Sequence, residues 1–302
     1  MCDYIIRLAK KGELTTIRRG YSMGKLLIID GHNLLFQMFF GMPSRIINKD
    51  GKAIHGTLGF VGALIKIIKM TSPTHVVILF DGEHENDRTE LLSEYKANRT
   101  DFSTVPDDEN PFSQLNDVYR ALDFLGMKHT ETAEFETDDV ISSYVHSHER
   151  QMQIVIASFD SDFFQLISDN VSVLRYRGDK TILCNSAYIY EKYGINPCQY
   201  ADFKSLTGDS SDNIRGAERI GPKTEAALIN QLGSLNEILN RASEIAKPVV
   251  RDSVIQSTER LRNNYRLIRL DNKATAPFVL DELLYSYNGI TTNEVLKGIE
   301  LR

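Results

Sequence analysis

Apolar residues along the chain fall into two patterns, short continuous runs and longer stretches at helical spacing. Four runs of four to seven mainly apolar residues, bounded by polar or turn-forming residues, predict buried strands at 25–30, 75–81, 153–158 and 171–176. Helical spacing predicts helices at 57–70, 112–126 and 138–150. The letters GHN after the first run predict a turn. Apolar strands alternating with helices predict an α/β fold with a mostly parallel sheet covered on both faces.

Three regions depart from this alternation. Residues 82–111 are too polar for a core and too long for a simple connection, and such loops are usually functional or disordered. After about Ser186 the pattern changes to helices joined by Gly and Pro turns. Residues before Met23 carry scattered basic residues, which indicates a weakly ordered extension or a translation start at Met23. The expected organisation is an extension over 1–22, an α/β domain over 23–190 and a helical domain over 191–302.

Composition narrows the class of protein. Of the 302 residues, 42% are hydrophobic, which is enough for a sizeable core. No apolar run approaches the roughly 18 residues that span a membrane, so we expect no membrane association. The three cysteines, Cys2, Cys184 and Cys198, are odd in number and widely spaced. This spacing argues against a disulfide framework or a zinc site and favours a reducing compartment, with the cytoplasm as the default.

Acidic residues gather where the predicted strands end. Asp30 and Asp81 follow the first two strands, and Asp160 and Asp162 follow the third. Ligands of open parallel sheets bind at the carboxyl ends of the strands. Two other short stretches, FETDDV and GDSSDN, add Glu136, Asp138, Asp139, Asp209 and Asp212.

Nine converging carboxylates would repel one another and raise each other's pKa values unless a cation lay between them. Mg²⁺ prefers oxygen ligands, and two such ions about 4 Å apart can promote displacement at phosphorus. A single Asp after a strand is usually a helix N-cap, and a DD pair before a helix is an ordinary cap as well. Convergence of three strand ends and two further acid groups favours the metal interpretation.

The net charge of −6 does not exclude a nucleic-acid partner. Without the nine acids, 32 acidic residues remain against 35 basic ones. The stretch from Arg215 to Arg269 contains ten basic and six acidic residues. A solvated helical surface explains this local excess equally well.

The stretch NIRGAERIGPKTEAALINQLG, residues 213–233, suits a phosphate backbone. It predicts a short helix, a turn at Gly221 and a second helix starting near Pro222. Free N–H groups at that start, beside Lys223 and Thr224, can hold a phosphate. A plain αα-hairpin with a Gly-Pro turn fits equally well.

The polar loop carries an aromatic residue among basic ones. Tyr95 lies beside Lys96 and Arg99, and Arg88 precedes Tyr95 by seven residues. Stacking on an aromatic ring together with cationic contacts to phosphates is typical of single-stranded nucleic-acid binding. A solvated charged helix is the alternative.

Taken together, these motifs resemble the 5′-nuclease family of flap endonucleases and 5′–3′ exonucleases. The family includes the N-terminal domain of bacterial DNA polymerase I and free-standing bacterial and phage enzymes. The resemblance runs from Met23 to about Asp271 and rests on LLIIDGHNLL, VVILFD, EYKANR, FETDDV, SFDSDFFQL and LTGDSSDNIRGAERIGPKT, in that order. It implies a PIN/resolvase-like α/β core, a C-terminal helix-three-turn-helix (helix-hairpin-helix) domain, and an arch over about 82–111 that clamps a 5′ single strand.

The resemblance also implies roles for individual residues. The first metal would be held by Asp30, Asp81, Glu136 and Asp138. The second would be held by Asp160, Asp162, Asp209 and Asp212, with Asp139 nearby. Lys96 would contact the scissile phosphate, Arg88 would stabilise its charge, and Tyr95 would stack. The DNA-binding set would be Arg99, Arg215, Gly221, Lys223 and Thr224, with a K⁺ held by backbone oxygens of the hairpin.

The implied function is a monomeric, structure-specific 5′–3′ exonuclease or flap endonuclease. It would hydrolyse DNA, and RNA primers as well, near a 5′ end with two Mg²⁺ ions, for which Mn²⁺ can substitute. Gln37 and Arg219 stand where the family usually has Arg and Gly. These departures keep one alternative open, a branched-DNA-binding protein of the same fold with weak or no cleavage. A phosphatase-like enzyme using Asp160 and Asp162 is disfavoured, because Phe164 stands where Thr or Val is expected.

Overall fold

A computed structural model describes the chain at residues 23–82, 95–97 and 100–302 in full. In the N-terminal extension it describes the backbone of two antiparallel strands, β1 (Ile6–Lys10) and β2 (Glu13–Ile17). The predicted Arg88 and Arg99 positions lie outside the described residues.

A mostly parallel sheet organises the α/β part, as predicted, and it contains six strands. Its spatial order is β5-β4-β3-β6-β7-β8, with all neighbours parallel except the last pair. The strands are β3 (Lys25–Asp30), β4 (His75–Asp81), β5 (Lys128–Thr132), β6 (Gln153–Ala157), β7 (Val171–Arg175) and β8 (Ile182–Cys184). The four parallel strands predicted from apolar runs are confirmed to within a residue.

Eleven α-helices accompany the strands in the described part of the chain. Those of the α/β part are α1 (Gly31–Gly41), α2 (His55–Thr71), α3 (Leu115–Phe124) and α4 (Thr137–His148). Those that follow are α5 (Ser186–Tyr193), α6 (Tyr200–Thr207), α7 (Pro222–Leu232), α8 (Leu235–Asn240), α9 (Pro248–Gln256), α10 (Thr258–Ile268) and α11 (Thr292–Gly298).

Strand β3 shows why the sheet is buried on both faces. Successive side chains of a strand point to opposite faces. Leu26 and Ile28 accordingly belong to one apolar cluster, which includes residues of α4. Leu27 and Ile29 belong to another, formed with α1, α2 and α3. All four side chains are fully buried, which explains the continuous apolar run.

Two features of the α/β part differ from the sequence-based predictions. Residues 31–33 do not form a simple turn but the first turn of helix α1. The helix can begin there because Asp30 caps it, accepting a hydrogen bond from the Asn33 backbone N–H. Strand β5 was not predicted, because its letters KHTET are polar. It lies at the edge of the sheet, where polar side chains reach solvent.

The last residues of the chain return to the α/β part. Leu284 forms an isolated bridge with His75 at the start of β4. In α11, Val295 and Leu296 are fully buried in a cluster with Val61 of α2 and Ala121 of α3. The C-terminal region therefore consists of a helical unit, formed by helices α5 to α10, and a following segment that completes the α/β core.

The predicted short helix at the start of the hairpin is wrong. Instead, β10 (Ile214–Arg215) pairs with β9 (Gly208–Asp209) in a two-residue antiparallel ladder. A Cβ added to Gly216 would lie 2.2 Å from the Leu206 carbonyl oxygen, so the backbone is held against the end of α6. This close approach replaces helix formation. The second helix starts at Pro222, as predicted.

Arg219 adopts a left-handed backbone conformation, with φ of 60°. A residue with a Cβ is disfavoured in this region by about 1–2 kcal/mol, whereas glycine is not. The departure from the family pattern therefore falls at a position where the local backbone favours glycine.

We predict that Arg219→Gly will be more stable than Arg219→Ala by about 0.5–1 kcal/mol, because only glycine removes the Cβ that opposes this conformation. Both variants lack the arginine side chain, so comparing them isolates the backbone effect. Urea denaturation of the two proteins measures the difference. Equal stabilities, or a more stable alanine variant, would show that position 219 does not require the left-handed conformation.

Glu225 is a buried carboxyl group in the first turns of α7. Its side chain is 1% exposed, and its Oε2 has no hydrogen-bond partner among the described residues. Burial raises the pKa of Glu225 to about 7. The fold therefore favours the protonated form. The resulting contribution to stability is complete below the unfolded-state pKa and is lost as pH rises towards 7.

We expect Glu225→Gln to be more stable than the parent at pH 8 by about 1–2 kcal/mol, and this advantage to disappear near pH 4.5, because glutamine cannot ionise. Urea denaturation across this pH range provides the measurement. Glu259→Gln, at an exposed glutamate in the first turn of α10, is the matched control. Parallel pH profiles for the parent and Glu225→Gln would contradict the prediction.

Candidate active site

Carboxylates lie at or just after the C-terminal ends of three parallel strands. We call this end of the sheet, where the parallel strands terminate, its carboxyl edge. Asp30 and Asp81 are the last residues of the adjacent strands β3 and β4. Asp160 follows β6, which lies on the other side of β3. Ser158 connects two of them: its Oγ donates to Asp30 Oδ2 at 2.8 Å and accepts from the Asp160 N–H at 3.0 Å. The structure therefore brings together the acids that the sequence placed at strand ends.

Asp30 is the N-cap of α1 and also lies among the acids at the strand ends. One carboxylate oxygen caps α1, at 3.1 Å from the Asn33 nitrogen, and the other receives the hydrogen bond from Ser158. Burial, followed by the negative charge of Asp81, raises the pKa of Asp30 to about 7. A helix cap and an electrostatically stressed carboxylate are thus the same residue.

Asp81 is held by the neighbouring elements. Its Oδ1 accepts a hydrogen bond of 3.0 Å from the Thr137 backbone N–H at the start of α4, and its own N–H donates to His32 Nδ1 at 3.2 Å. Burial acts to raise the pKa of Asp81, but hydrogen bonding to Thr137 and the charge of Lys96 act in the other direction, and the pKa is lowered. Asp81 is therefore stabilised as an anion.

Asp138 lies in the first turn of α4 and belongs to the same group. Burial, and then the negative charges of Asp160, Asp81 and Asp30, raise the pKa of Asp138 well above its usual value. Just before α4, the buried Glu136 forms an ion pair with Lys96, whose Nζ lies 3.0 Å from Glu136 Oε1. We refer to Asp30, Asp81, Asp138 and Asp160 as the first acid group.

A second acid group consists of Asp162, Asp209 and Asp212. One carboxylate oxygen from each lies within 4.8 Å of the others, which is unique among the acidic, His and Cys side chains that the structure describes. The Asp162 N–H donates to Asp160 Oδ1 at 2.8 Å, which links the two groups. Burial, followed by the charge of Asp160, raises the pKa of Asp162 to about 7.

Lys204 of α6 enters the second acid group, and the sequence analysis missed it. Its ammonium group contacts Asp162 Oδ1 and lies 2.5 Å from Asp209 Oδ2. Burial acts to raise the pKa of Asp209, but the Lys204 ammonium and hydrogen bonds from Ser211 outweigh it, and the pKa is lowered. The available signal was a lysine four residues before the GDSSDN motif, in a predicted helical region.

These residues fit a divalent metal ion. All the donors are carboxylate oxygens, which are the ligands that Mg²⁺ and similar hard cations prefer. Burial first, and neighbouring carboxylates second, raise the pKa values of Asp30, Asp138 and Asp162, and a bound divalent cation would oppose both effects. The negative charge of both acid groups, and the clustering of the Asp162, Asp209 and Asp212 oxygens, suit a divalent cation.

Asp139 differs from the other predicted metal ligands. It is buried, and its Oδ1 accepts a hydrogen bond of 2.8 Å from the Asp271 N–H, just after α10. In this structure the carboxylate therefore connects α4 to the segment that follows the helical unit.

The described part of the polar loop packs against the helical unit. Tyr95 is 5% exposed and lies in a cluster with Ile214, Leu267 and Ile268, so in this conformation its ring packs on protein and is not available to a base. The Lys96 N–H donates to the Asp212 carbonyl oxygen at 3.2 Å. This contact brings Lys96 close to both acid groups.

The predicted DNA-binding residues lie along the hairpin. Gly221 precedes α7, and its carbonyl oxygen accepts the Thr224 N–H at 2.8 Å. Lys223 in the first turn and Arg215 at the end of β10 are exposed. All four are at the surface or partly exposed, and among the described residues no hydrogen bond or ion pair joins their side chains to the acid groups.

Gln37, the other departure from the family pattern, is used within the fold. Its side-chain amide donates to the Tyr176 carbonyl oxygen after β7. Nearby, the Cζ atoms of Arg175 and Arg177 lie 5.3 Å and 5.6 Å from the Phe159 ring centre. The residue before Asp160 is therefore flanked by two guanidinium groups from β7 and its end.

Within the described ranges, no helix is long and apolar enough to cross a membrane. This result agrees with the apolar runs in the sequence, which are all short.

Two family models cover most of the chain. Residues 25–194 match the 5′-3′ exonuclease N-terminal resolvase-like domain, and residues 195–290 match the 5′-3′ exonuclease C-terminal SAM fold. The first match alone covers more than half of the chain.

Known proteins show the same relationship. The thermostable DNA polymerase I of Thermus aquaticus is 32% identical over 248 residues, which are 82% of this chain and 28% of the polymerase. DNA polymerase I of Rhizobium leguminosarum is 32% identical over 285 residues, 91% of this chain and 27% of the polymerase. The chain thus spans less than a third of the length of these relatives.

Solved structures share the fold. The bacteriophage T5 5′-exonuclease with bound divalent zinc ions matches with a TM-score of 0.66 and 25% identity, over 81% of this chain and 89% of that one. The catalytic core of Rad2 in complex with a DNA substrate matches with a TM-score of 0.55 and 15% identity, over 91% and 93% of the two chains. With the sheet, the acid groups and both domain matches in place, the chain belongs to the 5′-3′ exonuclease family.

Proposed function

We propose that this protein is a structure-specific 5′–3′ exonuclease and flap endonuclease that hydrolyses phosphodiester bonds near the 5′ end of DNA. The observation that carries the proposal is the convergence of the first and second acid groups at the carboxyl edge of the sheet. A surface that binds a polyanion would not place seven carboxylates together unless cations were bound there as well. Metal-assisted hydrolysis of a phosphodiester uses such an arrangement, because the carboxylates hold the metal ions that the reaction needs.

Mg²⁺ is the proposed cofactor, held by the first and second acid groups with Glu136 beside the first, and Mn²⁺ can substitute. When bound, divalent ions supply an activated water nucleophile and stabilise charge on the phosphoryl oxygens. The T5 5′-exonuclease binds zinc ions in its structure, which supports a divalent centre in this fold.

The protein's own residues organise the site around that charge. The N-terminus of α4 donates the Thr137 N–H to Asp81 and keeps this carboxylate ionised and fixed. Ser158 fixes the carboxylate of Asp30 and the backbone of Asp160 relative to each other. Lys96 places an ammonium group at the border of the acids, where a scissile phosphate would otherwise meet only negative charge. Arg88 would add a second cation there.

We propose DNA with a 5′ flap or a free 5′ end as the substrate, and RNA–DNA hybrids as a further one. The neighbour Rad2 was solved with a DNA substrate, which supports nucleic acid as the ligand of the fold. Arg215, Lys223 and Thr224 at the hairpin would hold duplex phosphates, with K⁺ bound by the backbone there. Arg99 would add a contact, and Tyr95 would stack on a base only after leaving its apolar cluster.

We also propose a monomer in a reducing compartment such as the cytoplasm. The two described cysteines support the compartment: Cys184 is buried, Cys198 is exposed, and neither forms a disulfide within the described chain.

Cleavage of a labelled 5′-flap duplex tests the function. We expect cleavage by the parent protein in Mg²⁺, none in EDTA, and a loss of about 100-fold or more in Asp160→Asn, because this residue connects both acid groups. Asp169→Asn is the matched control: Asp169 is exposed and lies before β7, at the opposite edge of the sheet. It should retain parental cleavage.

Two results would contradict the proposal. Cleavage that persists in EDTA would exclude a metal-dependent mechanism. Tight flap binding without cleavage in either Mg²⁺ or Mn²⁺ would instead support the alternative function, a branched-DNA-binding protein of the same fold.

A further inference from the structure

Lys204 is a buried cation within a group of acids that is proposed to bind metal. The residue is 7% exposed and lies in α6, whose residues from Tyr200 to Leu206 are all buried. Its ammonium group contacts Asp162 and lies 2.5 Å from Asp209. Two of the three carboxylates of the second acid group therefore already have a positive partner supplied by the protein.

Burying the Lys204 ammonium group costs free energy unless nearby anions compensate its charge. An ammonium group removed from water is strongly destabilised unless it is paired with anions. Burial disfavours the charged ammonium group, but Lys204 forms ion pairs with both Asp162 and Asp209. The side chain therefore remains a cation.

We propose that Lys204 is the internal counter-ion of the second acid group: it holds Asp162 and Asp209 together in the metal-free protein and competes with a divalent ion for these carboxylates. This inference rests on the metal site of the proposed function. Occupancy of that site then requires either movement of the ammonium group or tolerance of a second positive charge beside it. In both cases Lys204 weakens divalent-ion binding at the second group and makes it sensitive to ion concentration.

The first acid group is arranged differently. Its nearest lysine, Lys96, pairs with Glu136 through Nζ. Lys96 belongs to the polar loop, whereas Lys204 lies in a buried helix that contributes Tyr200, Phe203 and Leu206 to a large apolar cluster. Lys204 pairs directly with two members of the second group, whereas Lys96 pairs with Glu136 beside the first, so removal of the Lys204 charge should act mainly on the second group.

Divalent-ion binding without DNA tests the proposal. Mn²⁺ binding to the full chain is measured by electron paramagnetic resonance, and melting temperatures are measured in EDTA and across a Mn²⁺ series. Lys204→Met removes the charge and keeps a similar side-chain length, whereas Lys204→Arg keeps the charge and is the matched control. Asp209→Asn identifies which binding event belongs to the second group.

In Lys204→Met we expect a lower melting temperature in EDTA, because the acids lose their partner. We also expect at least tenfold tighter Mn²⁺ binding at the site that Asp209→Asn weakens, and a smaller increase at the other site, whose Asp160 accepts a hydrogen bond from the Asp162 backbone. Lys204→Arg should resemble the parent in both measurements.

A charge-balanced variant separates electrostatics from packing. Lys204→Met combined with Asp162→Asn removes one charge of each sign, and we expect it to recover most of the melting temperature lost in EDTA. If it does not, or if Lys204→Met binds Mn²⁺ as the parent does at both sites, the counter-ion proposal is wrong while the proposed function stands. If the parent protein binds no Mn²⁺, both fail.

Discussion

Repulsion between carboxylates at the carboxyl edge of the parallel sheet is the constraint on which the rest of this structure depends. Parallel strands end at the same edge, so residues that are far apart in sequence become neighbours. Asp30, Asp81 and Asp160 come together in this way, and α4 adds Asp138. Hydrophobic packing on both faces of the sheet supplies the stability that holds such groups in place.

The protein compensates part of this charge with elements of its own fold. A helix N-terminus supports Asp81, a serine hydroxyl supports Asp30, and two lysines from different elements pair with Glu136 and the second acid group. Burial and the remaining negative charge together still raise the pKa values of Asp30 and Asp162 to about 7. Excess negative charge at a fixed position is what gives the site its affinity for divalent ions.

Much of the fold was accessible from sequence for a physical reason. Buried parallel strands must be apolar on both faces, so β3, β4, β6 and β7 appear as continuous runs. Strand β5 was not predicted because an edge strand can be polar. The β9–β10 ladder was not predicted because it depends on the close approach of Gly216 to the end of α6. Short elements of this kind are determined by tertiary contacts, and local letters carry little information about them.

The site was partly predictable for a similar reason. Acids at strand ends are visible in the sequence, and the structure brings them together. The sequence did not predict a role for Lys204, because a lysine in a helix is usually exposed to solvent. Only the packing of α6 places its ammonium group against Asp162 and Asp209. Asp139 shows the converse: it fits the acidic pattern, yet its carboxylate bonds to the Asp271 backbone.

Anomalous diffraction from crystals of the full chain grown with Mn²⁺ tests the central claim most directly. The account predicts strong peaks at the carboxyl edge of the sheet, one among Asp30, Asp81, Asp138 and Asp160 and one beside Asp162, Asp209 and Asp212. Absence of ions at this edge at saturating Mn²⁺, or carboxylates pointing apart into solvent, would contradict it.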